Sequence, residues 1–156
     1  MLTESDIDGL KTYFSNRTDV AFAFLFGSQA TGNATNLSDV DIAVYFYPEK
    51  KHPVEYEEKV YYGQEDAMWL ELERLLRIEV ELVVLNRIPS TIAASALKGV
   101  PLAINDWGLY LDFMVVVTSE AEDFTEFEPA LLAITISSNC AIPKHVSRLM
   151  SLLCLK

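Results

Sequence analysis

VAFAFLFGSQATGNATNLSDVDIAVYF, residues 20 to 46, is the stretch on which the architecture turns. Its first seven residues, Val20 to Phe26, are wholly apolar and stop at Gly27. A short apolar run closed by a glycine reads as a buried strand. Asp39 to Phe46 reads as the next strand, and the Ser-, Thr-, Gly- and Asn-rich residues 28 to 38 as a turn or short helix between them. Two residues apart on one strand, Asp39 and Asp41 share a face. Val40, Ile42 and Val44 then point the other way, into a core.

These parts suit one kind of chemistry. Phosphoryl transfer from a nucleoside triphosphate needs backbone N–H groups around the phosphates, metal ions bridging their oxygens, and an acceptor hydroxyl in line. Gly27-Ser28 follows directly on a buried strand, where a glycine permits the tight turn and close approach of phosphate. The Ser28 hydroxyl and the N–H groups of the next turn can donate to phosphate oxygens, and Gly32 gives the loop a second flexible point. Magnesium takes carboxylate and water oxygens, so Asp39 and Asp41 beside such a loop form a metal-binding pair.

A third acid is sought in EVELVVL, residues 79 to 85, where Val80 to Leu85 reads as a third apolar strand. Glu81 lies inside it, and a carboxylate there is costly to bury unless hydrogen-bonded, paired or metal-bound. Beside the Asp39–Asp41 strand it would reach the same metal or act as general base on the acceptor. Glu79 has the same parity and competes, but it sits nearer the strand entrance, where exposure is expected.

The rest of the chain supplies helices. Thr3 or Ser5 can cap a first helix to about Arg17, with Ile7, Leu10 and Phe14 on one face. Past Pro48 and Pro53, a long helix is expected from about Val54 to Arg77, with Tyr61, Gln64, Met68, Leu72 and Leu75 toward the core. Another, from about Ser90 to Lys98, stops at Gly99 with Pro101 shortly after. Asp106 can cap a last helix to about Glu128, with Leu109, Phe113, Val116, Phe124 and Phe127 as its core stripe. Tyr110, Leu111, Met114 and Val115 fall largely outside that stripe. This implies either a second face covered by a partner or a deeply buried helix. Residues 129–156 change character, with an apolar, β-branched start, a polar stretch at Ser137 to Asn139, and Pro143. The domain is therefore drawn as residues 1–128, with 129–156 as a tail that either docks elsewhere or is appended to the core.

Composition bounds the class of function. A chain of 156 residues, 51% hydrophobic and 22% charged, is expected to be one soluble globular domain. No apolar run approaches the roughly 18 residues of a membrane helix. MLTESDIDGLK lacks the basic region and apolar core of a signal peptide, so a cytoplasmic protein is expected. Twelve basic against 23 acidic residues give a formal net charge of -11. That charge repels a polyphosphate backbone and disfavours direct nucleic-acid binding; it suits a basic partner protein or a cationic small molecule. Cys140 and Cys154 have no metal-ligand spacing and read as free thiols. His52 and His145, each near a proline, read as surface loop residues.

GSQATGNATNLSDVDIAV resembles the signature of the polymerase-β-like nucleotidyltransferase superfamily. The short length and the VELVVLN strand resemble its minimal nucleotidyltransferase (MNT) branch, over roughly residues 1 to 128. The resemblance implies an α/β (α+β) fold, a small mixed sheet flanked by helices. By the same resemblance Gly27 and Ser28, with Gln29, Thr31 and Gly32 of the same loop, would bind the nucleotide. Asp39 and Asp41 would hold Mg2+, with Glu81 in the place of a third acid that is commonly aspartate in the family. Many members also carry an arginine in the loop, where Gln29 and Thr31 stand here. The Ala30-Thr31-Gly32 form resembles MNT proteins paired with HEPN toxins. The implied activity is transfer of AMP from ATP to a tyrosine of a HEPN-type RNase toxin, silencing it within a hetero-oligomer. Two other readings stay open: an antitoxin that acts by binding alone, and a small-molecule nucleotidyltransferase of the aminoglycoside-modifying kind.

Overall fold

The computed structural model describes residues 2–35, 38–48 and 60–120. Thr3 starts the first helix, α1 (Glu4–Ser15). Its hydroxyl accepts the Asp6 N–H at 3.2 Å, and the Asp6 carboxylate accepts the Thr3 N–H at 2.8 Å. This reciprocal box satisfies donors that a helix start otherwise leaves open. There follow β1 (Val20–Phe26), α2 (Gly27–Thr31), β2 (Val40–Phe46), α3 (Glu65–Leu76) and β3 (Val80–Val84). A 3-10 turn at Leu85–Arg87, α4 (Ser90–Leu97), β4 (Val100–Ile104) and α5 (Trp107–Glu120) complete the described chain. No helix among the described residues is long and apolar enough to cross a membrane.

The strands form one mixed sheet in the order β3-β2-β1-β4, with β1 antiparallel to β2 and β4, and β2 parallel to β3. The two apolar strands of residues 20 to 46 take the two central places, where both faces need covering. On one face Ala23, Leu25, Val40, Ile42 and Val44 pack with Leu10 and Phe14 of α1 and Met68 and Leu72 of α3. On the other face Phe22 stacks on Tyr45 with ring centroids 4.7 Å apart, and meets Tyr110 and Phe113 of α5 at 5.4 Å each.

Three elements depart from the sequence reading. The long helix expected from Val54 begins only at Glu65, after Gly63; residues 49–59 lie outside the described part. Its buried stripe is Glu65, Met68, Leu72 and Leu76, while Leu75 is 45% and Tyr61 56% exposed. Residues 65, 68, 72 and 76 hold helical spacing, and Leu75 is about 100° away from Leu76 around the axis. Glu65 joins the apolar stripe because a cation meets it there. Arg87 donates Nη1 to Oε1 at 2.6 Å and Nη2 to Oε2 at 2.5 Å, and the Tyr62 N–H adds a bond to Oε1 at 2.9 Å.

The second departure is β4, where the sequence reading took Pro101 only as part of the stop of the preceding helix. In the sheet β4 pairs only with β1, so it is an edge strand, where a missing N–H is tolerated. Before it, Gly99 lies so close to β1 that a Cβ would run into the Leu25 carbonyl, 2.9 Å from its carbon. The third departure is the stripe of α5. Asp106 caps the helix as expected, accepting the Leu109 N–H at 3.0 Å. The buried residues are Trp107, Tyr110, Phe113 and Val117, whereas Leu109 and Val116 are half-buried. Tyr110 belongs to the core because Phe22 and Phe24 of β1 offer it aromatic faces. Leu111 and Met114 stay half-buried and Val115 is 58% exposed. Phe124, Phe127, the boundary at 128, the tail, both cysteines and both histidines lie outside the described residues.

Two asparagines finish the sheet. Asn86 accepts the Phe46 N–H and donates to the Phe46 carbonyl, both at 2.9 Å, so a side-chain amide extends the β2–β3 pairing by one rung. Asn105 donates to the carbonyls of Phe14 and Val20 at 3.0 Å, tying the end of α1 to the start of β1.

Candidate active site

β1 ends at Phe26 and the chain turns on Gly27, at φ 67°, straight into α2; Gly32, at φ 74°, ends that helix. Both angles fall where a side chain is disfavoured. The residue preceding α2 is Phe26, which offers no side-chain acceptor to the first-turn N–H groups. The residues that follow run back toward the sheet. Thr35 and Ser38 clasp each other, the Thr35 N–H on Ser38 Oγ at 2.9 Å and the Ser38 N–H on the Thr35 carbonyl at 3.1 Å. β2 then joins the sheet, with the Val40 N–H on the Glu79 carbonyl at 2.9 Å.

Register brings the predicted residues together. Asp41 lies opposite Phe26 on the antiparallel side and opposite Glu81 on the parallel side. Phe26, Asp41 and Glu81 therefore stand abreast across three strands, and the Gly27 turn rises directly beside Asp41. A Cβ on Gly27 would overlap the Asp41 carboxylate, 2.8 Å from its Cγ. Gly27→Ala thus faces two penalties at once, a left-handed backbone costing about 1–2 kcal/mol and a displaced Asp41. The expected outcome is a destabilised protein with its nucleotide affinity and any transfer activity lost together. Unfolding curves and nucleotide titration of the variant check this.

The electrostatics are those of crowded acids. Asp41 is half-buried, and its carboxyl is held above the usual range, first by burial, then by the charges of Glu81 and Asp39 and a hydrogen bond with Glu81. No cation is among the charges acting on it. Glu79, the competing acid, is exposed and does not act on Asp41, so of the two glutamates it is Glu81 that the sheet delivers. Carboxylates crowded in this way suit a hard divalent cation. Among the described residues, however, no three acidic, His or Cys side chains are already closed around one point. Asp41 alone is half-buried; Asp39, one residue ahead of β2, and Glu81, on the edge strand, are exposed.

Other loop residues predicted to touch nucleotide are engaged within the loop. Thr31 Oγ1 donates to the carbonyls of Gly27 at 3.2 Å and Ser28 at 3.3 Å. Gln29 accepts the Leu2 N–H at 3.1 Å and donates to the Ser38 carbonyl at 3.2 Å. These bonds brace the turn, in which Ser28 is half-buried. The bracing role of Gln29 had no signal in the sequence, because both of its partners are backbone atoms of segments remote in the chain.

The family model described as Polymerase beta, Nucleotidyltransferase matches residues 8–106, more than half of the chain. No curated protein matches the sequence. Among solved structures, the chain resembles one from a crystal structure of a toxin–antitoxin with AMP-PNP, at 20% identity and TM-score 0.55, over 86% of this chain and 99% of that one. It also resembles one from a mutant MntA-HpeT toxin–antitoxin, at 19% identity and TM-score 0.55, with the same coverage of 86% and 99%. A third is from tri-AMPylated Shewanella oneidensis HEPN toxin in complex with MNT antitoxin, at 15% identity and TM-score 0.52, again over 86% and 99%. At these identities the likeness is one of fold.

Proposed function

This chain belongs to the polymerase beta nucleotidyltransferase family, and from that premise we propose that it transfers AMP from ATP to a tyrosine of a cognate HEPN-type RNase toxin and so neutralises it. The observation that carries the catalytic part is the register that sets Asp41 and Glu81 side by side at the mouth of the Gly27 turn. Asp39, Asp41 and Glu81 would hold Mg2+, and Gly27, Ser28 and the first-turn N–H groups of α2 would hold the triphosphate. Bound there, magnesium would neutralise charge on the phosphate oxygens. Glu81, exposed on the edge strand, would alternatively accept the proton of an incoming hydroxyl. The half-buried Asp41 fixes where the phosphates stop, because the Gly27 turn abuts its carboxylate.

The choice of acceptor rests on the likeness to toxin–antitoxin structures, one of them with an AMPylated HEPN toxin. A net charge of -11 supports docking of a basic, RNA-cleaving partner in the cytoplasm, as a hetero-oligomer. The test mixes the chain with the toxin encoded beside it, ATP and Mg2+, and follows intact mass. The expected result is whole-AMP increments on the toxin that vanish with the Asp39→Ala, Asp41→Ala double variant, together with protection of the host. A double variant that still protects would establish neutralisation by binding alone. Label from ATP found on a polycationic antibiotic, and not on the toxin, would overturn the choice of acceptor.

A further inference from the structure

Among the described residues of the loop, the Gln29 side chain ties three separate segments together. Through Oε1 it accepts the Leu2 N–H at 3.1 Å, and through Nε2 it donates to the Ser38 carbonyl at 3.2 Å, while its own backbone lies in the first turn of α2. The Ser38 carbonyl and the Asp39 N–H belong to one planar peptide unit. Holding that oxygen fixes the plane from which the Asp39 side chain departs. The sheet does not do this, since its first rung is Val40 to Glu79, one residue further on. The Thr35–Ser38 clasp does not do it either, because it grips the Ser38 N–H and hydroxyl, on the other side of the Ser38 α-carbon.

We propose that Gln29 is a positioning residue, whose side-chain amide sets the distance and angle between the α2 turn and Asp39 so that a triphosphate and a divalent cation are gripped together. The inference rests on Asp39 being a metal ligand, as proposed above. It assigns to Gln29 a role carried by its amide bridge and not by contact with nucleotide. An isosteric methionine fills the same space without either bond. Glutamate keeps the acceptor for Leu2 but has no donor for the Ser38 carbonyl.

The test uses the full chain, with Mn2+ binding followed by electron paramagnetic resonance in the presence of a non-hydrolysable ATP analogue. Transfer rate against Mg2+ concentration and melting temperature are measured alongside. Gln29→Met and Gln29→Glu are each expected to weaken Mn2+ binding about tenfold or more, the usual effect of removing a group that orients a metal ligand. The Mg2+ needed for half-maximal transfer should rise by a similar factor. The rate at saturating Mg2+ should return toward that of the unaltered protein, with little change in melting temperature. Wild-type Mn2+ affinity in both variants would overturn the proposal, as would a normal Gln29→Glu beside an impaired Gln29→Met. So would a loss of rate that follows the melting temperature and that Mg2+ does not restore. Should Asp39→Ala leave Mn2+ binding unchanged, the underlying assignment of Asp39 fails first, and Gln29 with it.

Discussion

Replacing Asp41 with asparagine is expected to lower the proposed AMP transfer by about two to three orders of magnitude, the scale of losing one preorganised group that stabilises a transition state, while making the metal-free protein more stable. The two effects share one cause. Burial and the neighbouring charges of Glu81 and Asp39 hold the Asp41 carboxyl above its ordinary range, so the folded state disfavours the ionised form. That unfavourable contribution is absent below the unfolded-state value and grows as pH rises toward neutrality. Asparagine keeps the shape and can still hydrogen-bond to Glu81, but it carries no charge. Melting temperatures in chelator at neutral pH should rise in the variant, and the gain should shrink as pH falls. A lower melting temperature in chelator would refute the account of a site that trades stability for function.

The largest effect on stability is expected at the opposite end of β3. Arg87→Leu removes the guanidinium from Glu65, whose side chain is 8% exposed, and leaves a carboxylate in an apolar stripe. Breaking such a pair costs about 3–5 kcal/mol, and Arg87, itself partly exposed, places the expectation near the lower figure. For a domain of this size that is a fall on the order of ten degrees in melting temperature. Adding Glu65→Gln should recover much of the loss, since the buried charge then disappears. Thermal or urea unfolding of the two single variants and the double variant measures the coupling. Additive losses would mean that the pair contributes nothing as a pair.

Much of this was legible in residues 20 to 46. The apolar run Val20–Phe26 read as a buried strand, and it takes an inner place in the sheet; the pair Asp39 and Asp41 marked the edge at which the candidate site is now proposed. Glu81 could be singled out because an acid inside an apolar strand needs a reason, but only the parallel register of β3 on β2 put it beside Asp41. The less legible parts share a physical reason, namely that tertiary contacts overrode local pattern. Leu75 and Leu76 are equally apolar, and the packing of α3 on α1 chose between them. Pro101 read as part of a helix stop, and only the edge position of β4 showed how a strand could hold it. Tyr110 looked surplus to its helix until Phe22 and Phe24 were placed opposite it. Gln29 and Asn86 act on backbone atoms that no side-chain pattern discloses.

The same sheet order has a kinetic meaning. β1 and β2 join residues about fifteen apart near the turn, whereas β2 and β3 join residues about forty apart and β1 and β4 about eighty. Closing the shorter loop loses less chain entropy, so the central antiparallel pair can form before either edge is laid down. Glu81 meets Asp41 only when β3 docks, which places the clash of acids after the central pair has formed. A substitution that relieves it will act mainly by slowing unfolding and hardly by speeding folding. The protein would then acquire its most frustrated contacts only once its central strands are paired.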